Sequence, residues 1–468
     1  MRKSIENGRT ELFSRSSSDG WRGIIGDTFT MGNIRRLGIG IARYLKTKGG
    51  VRSVFVGYDT RFLSDRSAGV LTQVLAGAGI RTVQSSRAIP TPVVSFFTHR
   101  RNYDLGVSIT ASHNPYYYNG VKIRMPFGGA PPGQVVERIT SMIPKREGKD
   151  VPGVRVPRVD PTPSYIGVVR SFIDRRLLAQ RKQSMVVDAM HGTTAGLLSK
   201  MLEGTKVIVH DLHSDHDPYF GGCAPEPQAN TVHALAREVR HRHAAFGVEH
   251  DGDGDRIVAF HPRHGFLSPH DLLCMFIVYL VEYRHARGMV LGSATITRRA
   301  AQLAQHYRLD YREFGVGFYN AAAVMRDVPV VAAGEDNGGI GIGSFLPERD
   351  GTFNAALLCE ANARVPGGLS ALVRRVEQLC GRTTFVRLCL PFDRSIQGKI
   401  DAVVRSLYPR CTHADCDDGM KYRMSNGDWV YCRASGTEPL VRVYLETRSR
   451  AASIRLVRAL KQHCTARQ

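Results

Sequence analysis

Three aspartates stand at alternate positions in "EHDGDGDRIVAF" (residues 249–260): Asp251, Asp253 and Asp255, with glycine between them. Glycine lets the backbone turn tightly, so three carboxylates can converge on one hard cation. An EF-hand loop would need Gly at its sixth position and Glu at its twelfth, and here those positions hold Arg256 and Pro262. Three carboxylates are too few for a calcium cage and suit Mg²⁺ shared with a phosphate. Arg256 beside such a metal would suit a transferring phosphoryl group.

Three further stretches carry reactive or ligand-binding residue types. In "SITASHNPYYYNGVKI" (residues 108–123) a strand-like run ends at Ser112 and His113, and Pro115 forces the chain out of regular structure. Ser112 falls where open α/β sheets place their sites, at the C-terminal end of a strand. The G-x-S-x-G elbow of a serine hydrolase is absent. Taken alone, the pair reads as a nucleophile with its neighbour or as a self-satisfied turn. "AAGEDNGGIG" (residues 332–341) offers Glu335 and Asn337, a carboxylate and an amide able to hydrogen-bond vicinal sugar hydroxyls, or an ordinary polar turn. "RASGTEPLVRVYLE" (residues 433–446) gathers Arg433, Ser435, the Gly436 backbone, Thr437 and Arg442. Backbone N–H groups and arginine forks suit a phosphate dianion. No Walker lysine is present, so this is not an ATP loop.

The elements that must position these loops alternate between strand and helix. "VRSVFVGYD" (51–59), "LGVSIT" (105–110), "SMVVDAM" (184–190) and "VPVVAAG" (328–334) read as buried strands. A helix follows the first, with Ser64 at its start and Gly79 at its end. Such alternation predicts α/β layers. Pro- and Gly-rich segments at 150–163 and 261–269, and "CGRTTF" at 380–385, mark boundaries. The last segment reads strand, helix, strand, strand, helix, which predicts a small α+β unit.

The whole chain bounds the function. It has 468 residues, enough for about three domains. The apolar run "LLCMFIVYLV" (272–281) is too short to span a bilayer and reads as a buried helix. The N-terminus lacks the apolar core of a secretion signal. Nine cysteines without a C-x-x-C pair argue against a disulfide framework and a thiolate zinc site, and point to a cytoplasmic protein without membrane segments. The net charge of +22 is spread in short clusters. With no nucleic-acid-binding signature, it reads as a solvated basic surface that favours anionic ligands, not as a nucleic-acid binder.

In this order and at these separations, the four loops resemble the α-D-phosphohexomutase family, which includes phosphoglucomutase, phosphomannomutase and phosphoglucosamine mutase. "SSSDGWRGIIGDTFT" (16–30), "DPYFGGCAPEP" (217–227), "FLSP" (266–269), "VGF" (316–318) and "PERDG" (347–351) are similar to further family motifs. The resemblance covers nearly the whole chain. It implies three similar α/β domains plus a C-terminal α+β domain around a central cleft, over residues 1–155, 156–262, 263–380 and 381–468. It implies that Ser112 is carried as a phosphoserine, with Mg²⁺ between its phosphate and Asp251, Asp253 and Asp255. It further implies interconversion of hexose 1- and 6-phosphates through a hexose 1,6-bisphosphate, a catalytic amount of which primes the enzyme. Lys122 would be the general acid/base, and His113, Arg22 and Arg256 would orient and stabilise the phosphoryl group. The Arg433–Arg442 loop would hold the other phosphate, and Glu335 and Asn337 the sugar. Composition supports Lys122 independently. The chain has 52 arginines and 12 lysines, yet uses lysine at this place, and a lysine can be tuned to give up its proton.

The sequence departs from the family pattern where the sugar is read. Asn337 replaces a common serine, Gly339 stands where some members have histidine, and Tyr319 stands where relatives often have lysine. "SDGWRG" and the "GG" after the sugar loop look more like phosphoglucomutase/phosphomannomutase members, so glucose and mannose phosphates are the expected substrates. Phosphoglucosamine or N-acetylglucosamine-phosphate mutase, and a non-catalytic sugar-phosphate binding protein, are the alternatives. A monomer or homodimer is expected.

Overall fold

The computed structural model describes residues 20–147, 153–416, 419–434 and 440–465. Strands buried on both faces read as unbroken apolar runs and pair in parallel. Ser53–Tyr58 and Leu105–Ile109 are such strands, and they lie side by side at the centre of a six-stranded sheet. Its order is Trp21–Ile24, Tyr118–Arg124, Leu105–Ile109, Ser53–Tyr58, Arg81–Ser85, Arg158–Val159. The two strands at the Trp21 end run antiparallel, which turns the chain back over Ser112.

The second sheet orders Gly265–Leu267, Ile257–His261, Phe246–His250, Gln183–Asp188 and Val207–Leu212. Phe246–His250 and Ile257–His261 form an antiparallel pair whose connection is the aspartate loop. The third sheet orders Tyr311–Phe314, Met289–Ser293, Val330–Gly334 and Ile340–Ile342, and the sugar loop joins the last two strands. The fourth sheet is antiparallel throughout, in the order Thr384–Pro391, Leu440–Thr447, Trp429–Ala434, Gly419–Arg423, Thr412–Cys416. The short strands Arg158–Val159 and Gly265–Leu267 stand just past the limits expected at 155 and 262 and complete the preceding sheets.

One apolar core runs through the first three units, from Phe55 through Met185 and Leu273 to Phe353. Its centre holds the helix Pro269–Arg284, in which every residue of the apolar run 272–281 is buried. Ser268 and Asp271 cap that helix reciprocally. The last unit has a separate core, built on Leu390, Ile400, Val430, Leu445 and Leu456. Trp429, Tyr431 and Tyr444 join it to the third unit by packing around Ala294. Among the described residues no helix is long and apolar enough to cross a membrane. Among the described residues no disulfide joins any of the cysteines.

Candidate active site

The serine loop begins where Leu105–Ile109 leaves the sheet. Ser112 is buried and adopts a left-handed backbone, φ 53°. This conformation is costly for a residue with a side chain and has to be held by its surroundings. The Thr110 hydroxyl accepts the Ser112 N–H at 2.8 Å. The Arg61 guanidinium donates to the carbonyls of Ser112 and Asn114, both at 2.6 Å, of Pro115 at 2.9 Å and of Tyr118 at 3.1 Å. Arg61 is itself fixed by Asp59 at 3.2 Å and lies over the Phe220 ring.

The aspartate loop meets this serine through a glycine. A Cβ on Gly252 would stand 2.8 Å from the Ser112 carbonyl oxygen, so only glycine lets the two loops touch. The Ser112 hydroxyl donates to Asp251 Oδ2 at 2.7 Å. His113 Nδ1 lies 3.5 Å from the same Oγ. Lys122, fully buried, places Nζ 2.8 Å from Asp253 Oδ2 and 2.6 Å from Asp255 Oδ2. Arg256 stands 3.8 Å from Asp251 and 4.0 Å from Asp255. Thr91 donates to Asp253 Oδ2 at 2.5 Å.

The three aspartates suit a divalent cation. One oxygen from each lies within 4.8 Å of the others, and all three residues are fully buried. Asp253 Oδ1 and Asp255 Oδ1 are buried without a hydrogen-bond donor, an expensive state that a metal would relieve. Burial and the adjacent carboxylates hold the Asp251 pKa well above the usual range. Burial pushes Asp253 the same way, but Lys122 and Thr91 outweigh it and hold Asp253 low. Burial and the cations of Arg256, Arg22, Lys122 and Arg61 hold His113 well below the ordinary histidine value, so its ring is neutral at pH 7. The cations that act on His113 make the surroundings of the neighbouring Ser112 hydroxyl favourable to an anion.

The sugar loop is tied to the aspartate loop by the backbone. Ile257 donates to the Gly338 carbonyl at 3.0 Å, and Arg256 and Gly339 form an isolated antiparallel bridge. Glu335, buried, accepts the Gly317 N–H at 3.0 Å and Arg349 at 3.3 Å. The Asn337 side-chain oxygen caps its own loop by accepting the Gly339 N–H at 2.9 Å. The glycine at 339 has a physical cause, because a Cβ there would lie 2.3 Å from Arg349 Cδ. Tyr319 opens the helix Tyr319–Asp327 and is half-buried. Arg433 and Arg442 face each other on neighbouring strands of the fourth sheet. Like charges directly opposite are unfavourable unless an anion joins them. Ser435, Gly436 and Thr437 lie outside the described residues.

The structure thus brings Ser112, His113, Lys122, Arg256 and the three aspartates together, with Arg22 on the adjacent edge strand close enough to act on His113 and Asp253. Arg61, Thr91 and Arg349 are site residues that sequence reading did not assign. Arg61 had a faint signal, an arginine two residues after the aspartate that ends a strand. Arg349 lay inside the quoted "PERDG".

Four family profiles match the chain in order. They are phosphoglucomutase/phosphomannomutase alpha/beta/alpha domain I at residues 15–149, domain II at 163–265, domain III at 268–379, and the C-terminal domain at 392–462. A phosphoglucomutase/phosphomannomutase from Thermococcus kodakarensis is 27% identical over 442 residues, covering 92% of this chain and 94% of that one. A probable phosphoglucosamine mutase from Methanothermobacter thermautotrophicus is 29% identical over 447 residues, covering 94% of each. A solved structure from Thermus thermophilus, named as a phosphomannomutase, superposes with a TM-score of 0.84 at 28% identity, covering 96% of this chain and 97% of that one. With the four domains matched in sequence, the chain belongs to the α-D-phosphohexomutase superfamily, a group of isomerase-class phosphomutases.

Proposed function

We propose that the protein interconverts the 1- and 6-phosphates of glucose, mannose or both, through a phosphoserine at 112 and a hexose 1,6-bisphosphate. The observation that carries this reading is the Ser112 hydroxyl, 2.7 Å from Asp251 and 3.5 Å from His113, on which the cations of Arg256, Arg22, Lys122 and Arg61 act. Mg²⁺ would be held by Asp251, Asp253 and Asp255 with an oxygen on Ser112, and would supply charge neutralisation at the transferring phosphoryl group.

The chain's own residues do the rest. Arg256, Arg22 and the neutral His113 hold the phosphoryl oxygens as the bond from phosphorus to Ser112 Oγ breaks and the bond to the sugar 6-oxygen forms. Lys122, as the free amine, takes the proton lost by that hydroxyl, Ser112 Oγ gains one as it leaves phosphorus, and the return transfer reverses both. Arg433 and Arg442, with Ser435, Gly436 and Thr437, bind the distal phosphate in either orientation of the sugar. The bisphosphate turns in the cleft, and its 1-phosphate returns to Ser112. A catalytic amount of hexose 1,6-bisphosphate keeps the serine phosphorylated. Glu335 accepts sugar hydroxyls, and Asn337 presents its amide N–H groups beside it, since its carbonyl is engaged with Gly339.

The test is kcat/KM with Mg²⁺ and catalytic hexose 1,6-bisphosphate on the 1-phosphates of glucose, mannose, glucosamine and N-acetylglucosamine. Preference for glucose or mannose phosphate is the expected result. Preference for an amino sugar would move the substrate to the second reading, an amino-sugar phosphate mutase, which the Methanothermobacter relative favours. No turnover on any of the four, with phosphate present on Ser112 by mass spectrometry, would leave a binding protein.

A further inference from the structure

We infer that Arg349 is a positioning residue that couples occupancy of the aspartate cluster to sugar binding. The inference rests on the reading of Glu335 as the sugar-hydroxyl acceptor. Arg349 is buried, and its rigid fork is shared between two loops. One terminal nitrogen lies 3.0 Å from Asp255 Oδ2, on the aspartate loop. The other lies 3.3 Å from Glu335 Oε2, on the sugar loop. Its Nε is 3.4 Å from Glu348, and the guanidinium sits over the Phe318 ring, in the same turn as the Gly317 N–H that donates to Glu335.

One guanidinium on two carboxylates makes the two loops interdependent. A divalent cation among the aspartates draws on the Asp255 charge and repels the guanidinium. The guanidinium then leans on Glu335, and a fully buried carboxylate so paired has one orientation. Held in that orientation, it meets sugar hydroxyls at little entropic cost. By linkage, sugar on Glu335 must tighten the cation by the same factor. A lysine cannot reproduce this, because one ammonium on a flexible stem does not span two carboxylates as a fork does. Gly339 belongs to the same device. Arg349 Cδ passes 2.3 Å from where its Cβ would be, so any side chain there displaces the arm.

The experiment is calorimetric Mg²⁺ titration of phosphatase-treated protein, in which no turnover occurs. Wild type, Arg349→Lys, Arg349→Met, Gly339→Ala and the Met/Ala double variant are each titrated alone, with inorganic phosphate, and with glucose 1-phosphate. Phosphate alone attracts Mg²⁺ whatever Arg349 does, so the signal is the extra tightening seen with the sugar phosphate. In wild type that excess is expected at about tenfold, within the usual range of coupling between sites. Arg349→Met and Gly339→Ala should each reduce it to below about twofold, and the double variant should lose nothing more, as expected for residues acting as one unit. Arg349→Lys should fall between. Tm should fall least in Arg349→Lys, which keeps a cation beside Asp255 and Glu335, so a reduced excess there separates coupling from a folding defect. Full excess in either single variant overturns the inference, and so does its absence from wild type. Glu335→Gln separates the two levels of reading. If it weakens glucose 1-phosphate binding while wild type shows no excess, the coupling fails and the sugar-reading role stands. If it leaves that binding unchanged, the reading of Glu335 fails.

Discussion

Lys122 is one of twelve lysines in a chain with 52 arginines, and its ammonium is shared by Asp253 and Asp255 with no exposed surface. An arginine there could still neutralise the carboxylates, but it could not trade a proton with a sugar hydroxyl. Lys122→Arg should therefore keep sugar-phosphate binding within a few-fold and lose at least about 10²-fold in kcat, the usual worth of a positioned acid/base. Near-normal turnover would remove Lys122 from that role. A second residue-scale effect falls on stability. Burial raises Asp350 to about 7, against the Phe353 and Thr352 N–H groups and the Tyr165 hydroxyl that favour its ionised form, with Asp255 adding to the rise. A carboxyl whose folded pKa lies above its unfolded value contributes its full stability below about pH 4 and loses it as pH rises through 7. Asp350→Asn, which keeps a capping side chain, should gain on wild type in Tm between pH 5 and pH 8. The three-unit difference sets a ceiling of about 4 kcal/mol. Melting curves that shift in parallel with pH would contradict this.

At the scale of elements, Arg61 holds four carbonyls of residues 112–118 from one point, so the serine loop has its shape only while that guanidinium is in place. Arg61→Met also leaves Asp59 buried and unpaired, a change that typically costs about 3–5 kcal/mol. Arg61→Lys should restore part of the Tm and little of kcat, because an ammonium cannot fan out to four acceptors. Equal rescue of both would mean that charge alone mattered. The elements themselves were legible in the sequence. The apolar run at 272–281 forms the buried helix expected of it, and each apolar run read as a strand overlaps one. Convergence was legible only through the resemblance. Ser112 and Asp251 touch across 139 residues, and no local periodicity carries that information. The glycine at 339 read as a departure for the same reason, since its cause is an arginine arm from another segment.

Across the whole molecule, the C-terminal unit is fastened to the third at Glu446. It accepts the Arg298 N–H at 2.9 Å, the Trp429 indole N–H at 2.8 Å and the Thr297 hydroxyl. Arg442 lies on the same strand, so the fastening also aims one of the two facing arginines. Glu446→Gln puts N–H groups against N–H donors. It should raise KM for hexose phosphate by about tenfold, since the loss of a buried charged acceptor typically costs about one to three kcal/mol, with a smaller change in kcat. Small-angle scattering should show a larger radius of gyration. Unchanged KM with an expanded particle would separate docking from phosphate binding.

The other three units meet at one tripeptide. Glu348 pairs with Arg124 of the first, Arg349 with Asp255 of the second, and Asp350 accepts the Tyr165 hydroxyl. During synthesis these partners emerge long before the tripeptide does. Tyr165 precedes Asp350 by 185 residues, a wait of roughly ten to forty seconds at ribosomal speeds of about 5–20 residues per second. Until then Arg124 and Asp255 have no counter-charge from this segment, and the first two units cannot dock on the third. A truncation before residue 348 leaves the surface that the third unit covers exposed, and its product should be one that chaperones retain.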